Sequence, residues 1–214
     1  MLELGPDSER SAYVDLYWLP LGAGKVAVRW SGRVYEAVVA RREHRVVGDL
    51  YHSALQVGLG DERYVIEMTP VWGNAQRQRG VVSEGPVGSR RLGRWRWFRY
   101  EVRRWRDGVI PDIAYAVGSP RRMSTNSGRA RELLDLVPRV PSVTWGRDEL
   151  ATGAMWNSNS LIAWLLARSG HPAELVTPPG GGRAPGWSAG LVLATRDAGC
   201  DLSRAGVRPA ALVG

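Results

Sequence analysis

The residues best suited to chemistry in this chain are Ser158, His52 and Glu67. Ser158 lies in Asn157-Ser158-Asn159-Ser160, at the head of a run in which Leu161, Ile162, Leu165 and Ser169 recur at helical spacing. Asn157 is a suitable N-cap, and Gly170 followed by Pro172 marks the stop. Ser158 falls three and four residues before Leu161 and Ile162, so it shares their inward face, while Ser160 points to the other side. A hydroxyl at that place sits among free N–H groups at the positive end of the helix dipole. That suits a nucleophile that must develop an oxyanion. It is equally the place of an ordinary capping serine.

A serine hydroxyl is almost never ionised at neutral pH and needs a base, most often histidine. Residues 50–57 alternate, with His52, Ala54 and Gln56 on one side, and residues 62–68 read as a second strand. Closed symmetrically through a four-residue turn at 58–61, this hairpin sets His52 opposite Glu67 and Ala54 opposite Val65. Glu67 is then placed to hold the imidazole in one tautomer. A one-residue slip separates the pair. The plainer alternative makes His52 an ordinary strand histidine beside Tyr51 and Glu67 a surface acid.

Asn157-Ser158-Asn159-Ser160-Leu161, with Leu165, Gly170 and Pro172 behind it, resembles the N-C-N-x-F…L…G…P pattern of the PPPDE peptidases. Those are permuted papain-like enzymes, related in fold to the permuted NlpC-type group. Tyr51-His52, followed by a glycine-containing turn and a second strand, is similar to the family's histidine region. The resemblance covers about 50–68 and 155–172. It implies a nucleophile at Ser158, a base at His52, and Asn157 and Asn159 as oxyanion or supporting groups. The departure is serine where the family has cysteine, the residue that defines the chemistry. Either Ser158 works as an unusual Ser/His hydrolase, or the fold has lost catalysis and binds something. Cys200 shows no helix start around it and is a poor substitute.

Two other stretches carry motifs. Gly186-Trp187-Ser188-Ala189-Gly190 matches the G-x-S-x-G elbow of α/β-hydrolases, but a proline-rich segment precedes it and no histidine follows. Between Arg90 and Arg106, arginine alternates with Trp, Phe and Tyr. Such a segment suits stacking on single-stranded nucleic acid. The expected arrangement is a strand pair with aromatics inward and arginines outward, because no nucleic-acid-binding signature accompanies it.

The elements that must position these residues follow from pattern and composition. At 214 residues with 44% hydrophobic content the chain supports one core. Ten Trp against one Phe predict large aromatic contacts within it. The net charge of +8 is carried almost wholly by arginine, Lys25 being the only lysine. Such a charge permits an acidic partner. A single cysteine excludes internal disulfides, and three histidines make a His-rich metal site unlikely, so no metal or cofactor is expected. Without a signal pattern or a bilayer-length apolar run, the expectation is a cytoplasmic protein with no membrane span.

Strands are expected at 11–19, 50–57, 62–68, 80–87, 94–105 (with a phase change near Phe98) and 109–117. Helices are expected at 31–42, 124–136 and 157–169. Residues 1–175 are read as one α+β domain, an antiparallel or mixed sheet packed against a few helices as in permuted papain-like proteins. Residues 176–214 are read as a Gly/Pro/Ala-rich extension packing on it, with 192–194 as a final strand. Three functions fit: a hydrolase or acyl transferase on an amide or ester, a catalytically inactive papain-like interaction module, and an Arg/Trp-rich nucleic-acid binder. The expected partner is an amide- or ester-containing substrate or a protein; the charge admits nucleic acid without favouring it.

Overall fold

The computed structural model describes residues 12–21, 49–71, 80–118 and 120–204. They form an α+β fold in which six strands make one antiparallel sheet. The strands are β1 (Tyr13–Pro20), β2 (Tyr51–Leu59), β3 (Glu62–Pro70), β4 (Val81–Pro86), β5 (Arg99–Arg106) and β6 (Arg121–Ser124), and their order is β4-β5-β3-β2-β1-β6. Three helices follow: α1 (Ser127–Leu136), α2 (Ser158–Arg168) and α3 (Trp187–Arg204). The helix expected at 31–42 lies outside the described residues.

Period-two alternation divides the sheet into two unlike faces. One face carries Leu16, Trp18, Tyr51, Leu55, Val57, Ile66 and Val102 into a large core with Leu133 of α1, Leu161, Ile162 and Leu165 of α2, and Leu193 of α3. Each such side chain, fully buried, contributes about 1.5–3 kcal/mol. The opposite face holds a smaller cluster of Tyr17, Leu19, Ala54 and Val65, closed by Ile110. Beside it lies a buried ion triad, in which Arg103 of β5 bonds Glu67 across the strands at 3.3 Å and Glu101 on its own strand at 2.8 Å. Trp18, Trp156 and Trp164 are buried, whereas Trp95 and Trp97 are not.

The β2–β3 turn differs from expectation. It contains two residues, Gly60 and Asp61, with Leu59 pairing Glu62. Gly60 takes the left-handed φ of 64°. Gly58 is a strand residue, because the Tyr13 ring lies where its Cβ would be, 2.2 Å away. The register therefore moves by two residues, and the expected pairings His52–Glu67 and Ala54–Val65 are replaced by Leu55–Ile66 and Gln56–Val65.

Three further expectations are corrected. Residues 92–98 form two 3-10 turns, Leu92–Arg94 and Arg96–Phe98, and β5 begins only at Arg99, where the alternation changes phase. Residues 109–117 form a loop with a 3-10 turn at Ile113–Tyr115, not a strand. Pro111 has no N–H to give a ladder, and Asp112 turns left-handed at φ 62°. The edge beside β1 is instead β6, where Arg122 pairs with Asp15. Finally, 192–194 is no strand. Ala189, Gly190, Leu193 and Ala194 recur at helical spacing and form the buried stripe of α3.

Candidate functional site

The start of α2 is a joint where three elements meet. Asn157 is the N-cap, and its Oδ1 accepts from the amides of Asn159 (2.9 Å) and Ser160 (3.3 Å). Ser160 Oγ completes a capping box by accepting from the Asn157 amide at 3.1 Å. It also donates to the Gly186 carbonyl at 2.7 Å, which ties α2 to the turn ahead of α3. Asn159 is 2% exposed. Its Oδ1 accepts from Ser53 Oγ at 2.8 Å, and its Nδ2 donates to the carbonyls of Tyr51 (2.9 Å) and Pro185 (3.0 Å). The side-chain Nδ2 of Asn157 donates to the Pro185 carbonyl as well, at 2.8 Å. Asn157 and Asn159 thus spend their side-chain oxygens on internal donors, and both N–H groups of Asn159 and one of Asn157 go to backbone carbonyls.

Ser158 is buried, only 7% exposed, and its hydroxyl has no hydrogen-bond partner among the described residues. His52 does not reach it by hydrogen bond. On β2, Tyr51 and Ser53 contact the α2 side, so strand alternation turns His52 to the other face. There it sits opposite Leu19 of β1, in the field of Asp112. Burial pushes the imidazole down to about 4, only partly offset by Asp112. A base whose conjugate acid is that strong has little drive to take a proton from an alcohol at neutral pH. Glu67 shares the His52 face but bonds Arg103 rather than the imidazole. The sequence-based trio is therefore not assembled: Ser158 lies on one side of the sheet, His52 and Glu67 on the other.

A buried Ser–His contact does exist elsewhere. Ser169 Oγ lies 2.9 Å from His171 Nδ1, but it also donates to the Leu165 carbonyl at 2.6 Å and is fully buried. It closes the last turn of α2 and is closed to substrate. The Gly186–Gly190 motif is likewise a packing device. A Cβ on Gly190 would meet the Ser160 carbonyl oxygen at 2.1 Å, so the glycine lets α3 approach α2. Ser188 between them is exposed.

The surface that sequence reasoning assigned inward faces outward. Trp95, Trp97 and Phe98 are 49%, 72% and 40% exposed. The Arg94 guanidinium lies 4.5 Å above the Trp95 ring. At the foot of this knuckle is a cleft of about 500 Å³ between residues 88–90 and 144–149. Its floor is braced by Glu149, which accepts a two-pronged bond from Arg90 at 2.9 Å and another from Thr144 Oγ1 at 2.6 Å. The Arg90 bonds, then those of Thr144, hold the Glu149 carboxyl down at about 2. The signal available in the sequence was the glycine at 93, which breaks the alternation and packs flat on Pro86.

Among the described residues no group of three His, Cys, Asp or Glu side chains could hold a metal ion, and no helix is long and apolar enough to cross a membrane. Comparison of the chain with family models, with curated proteins and with solved structures finds no match.

Proposed function

We propose that this protein is a non-catalytic binding module, built on a scaffold that resembles the permuted papain-like proteins but lacks their catalytic pair. The observation that carries this reading is the use of the α2 N-terminus. Asn157, Asn159 and Ser160, which flank the nucleophile position, are committed to joining β2, α2 and the turn before α3. The remaining member, Ser158, has no hydrogen bond to a histidine among the described residues: His52 is turned to the other face of the sheet, and His171 is held against Ser169 at the far end of α2.

The test is exposure of the intact protein to a serine-reactive phosphonate, followed by intact-mass measurement and peptide mapping. The expected result is no adduct at Ser158, and a Ser158→Ala variant with the same melting temperature and binding as the parent. An adduct at Ser158 that is lost in His52→Gln would overturn this reading and restore the hydrolase.

A further inference from the structure

We infer that the paired turns ahead of β5 bind single-stranded nucleic acid, with Trp95, Trp97 and Phe98 stacking on bases and Arg91, Arg94 and Arg147 meeting phosphates. The inference rests on the binding-module reading and names its partner.

Three large rings within four residues are left in water, on a chain that buries much of its other aromatic surface. An aromatic side chain has on the order of 150–250 Å² in all, and the exposed part of each, between 40% and 72%, is open to a partner. Hydrogen bonds fix the backbone of the turns that carry the rings. The Val87 amide donates to the Phe98 carbonyl at 2.8 Å, and Gly93 to Ser89 at 3.1 Å. Arg99 bonds the Gly93 carbonyl at 3.1 Å and pairs with Glu84 at 2.7 Å, so it is a brace and not a ligand contact. A surface fixed in advance loses less entropy when it binds.

The charges just ahead of the rings favour an anion. Arg91 and Arg94 are exposed on the same stretch, and the whole chain carries +8. In the cleft, Arg147 Nε donates to the Gly88 carbonyl at 2.6 Å, while its terminal N–H groups have no partner among the described residues. The two carboxylates there are turned onto internal donors. Glu149 takes Arg90 and Thr144, and Asp148 takes the amides of Thr152 and Gly153 at 2.9 and 2.8 Å. Among the described residues the terminal N–H groups of Arg147 are thus left open in the cleft, and they suit phosphate oxygens.

Flat ring faces beside guanidinium groups match a single strand, whose bases are free to stack and whose backbone is charged at every step. A duplex hides its base faces, and residues 89–98 contain no α-helix or strand to enter a groove. The same lack of an amphipathic helix disfavours a membrane surface.

The test uses the full chain, a short dye-labelled single-stranded oligonucleotide of mixed sequence, and fluorescence anisotropy across a salt series. Trp97→Ala should weaken binding roughly ten-fold or more with the salt slope kept. Arg94→Gln and Arg147→Gln should each lower the slope of log affinity against log salt by roughly 0.7. All three positions are exposed, so loss of folding does not confound the result. Absence of oligonucleotide binding, binding indifferent to Trp97→Ala, or preference for the matching duplex or for phosphatidylserine vesicles would each overturn the inference. None of these outcomes bears on phosphonate labelling of Ser158, so the two readings fail separately.

Discussion

Replacing Asn159 by alanine tests whether the α2 joint holds the fold or serves a reaction. The side chain makes three bonds, to Ser53 Oγ and to the carbonyls of Tyr51 and Pro185, and is almost fully buried. At about 1 kcal/mol net per hydrogen bond, the loss is roughly 3 kcal/mol, and more if the Ser53 hydroxyl and Tyr51 carbonyl find no water. Against a typical total of about 5–15 kcal/mol this is a large fraction. With a urea m-value of about 2 kcal/mol/M, the unfolding midpoint should fall by about 1.5 M. The partnership with Ser53 can be isolated. Ser53→Ala alone strands the Asn159 Oδ1, whereas in the Asn159→Ala background it removes an already orphaned hydroxyl. The double-mutant cycle should therefore show coupling of about 1–2 kcal/mol. Asn159→Asp should be worse than Asn159→Ala, since a carboxylate would face two carbonyl oxygens. Urea melts of the four proteins decide the matter. A midpoint shift below about 0.5 M at constant m-value, or strict additivity with Ser53→Ala, refutes the joint.

Gly190→Ala should lower the melting temperature, because its Cβ meets backbone 2.1 Å away, at a cost of about 1–3 kcal/mol that exceeds the helix-propensity gain. Gly199→Ala, also in α3 but with open space at its Cβ, should raise the melting temperature by up to about 1 kcal/mol of stability. His52 is held below its ordinary value of 6.5, at about 4, so the unfolded chain binds the proton first. Stability is then full above pH 6.5 and is lost as pH falls toward 4, by at most roughly 3 kcal/mol because the side chain keeps some water contact. His171, also lowered by burial and then by Arg129, acts in the same direction. Urea midpoints of His52→Gln should show a flatter acid limb than the parent. Arg103→Met should cost about 3–5 kcal/mol by removing the buried cation that Glu67 and Glu101 share, and adding Glu67→Met and Glu101→Met should recover much of it, as read by thermal melts.

Much of the scaffold was legible where the local pattern and the packing agreed. The alternation of 50–57 and 62–68 marks β2 and β3, and the Asn157 and Gly170 signals bracket α2. Legibility ended where a residue answers to a distant neighbour. Gly58 looks like a turn glycine until the Tyr13 ring is seen over it. Gly186 and Gly190 look like a loop or an elbow until α2 is laid against them. The capping asparagine at 157 was readable, but Asn159 and Ser160 were not, since their partners are 26 and 108 residues away. The outward turn of Trp95, Trp97 and Phe98 was hidden because alternating Arg and aromatic residues read equally well as a strand.

The Glu67–Arg103–Glu101 triad has a meaning beyond its own bonds. β5 carries Arg99, Arg103, Arg104 and Arg106 within eight residues, so its composition alone says little about which way it faces. Sliding β5 by one residue against β3 would turn the Arg103 guanidinium toward Ile66, Met68 and Leu133 and part it from Glu67. Ionic matching on the thinner side of the sheet thus acts as a key that admits one alignment of an otherwise ambiguous strand. The knuckle just upstream inherits its orientation from that choice.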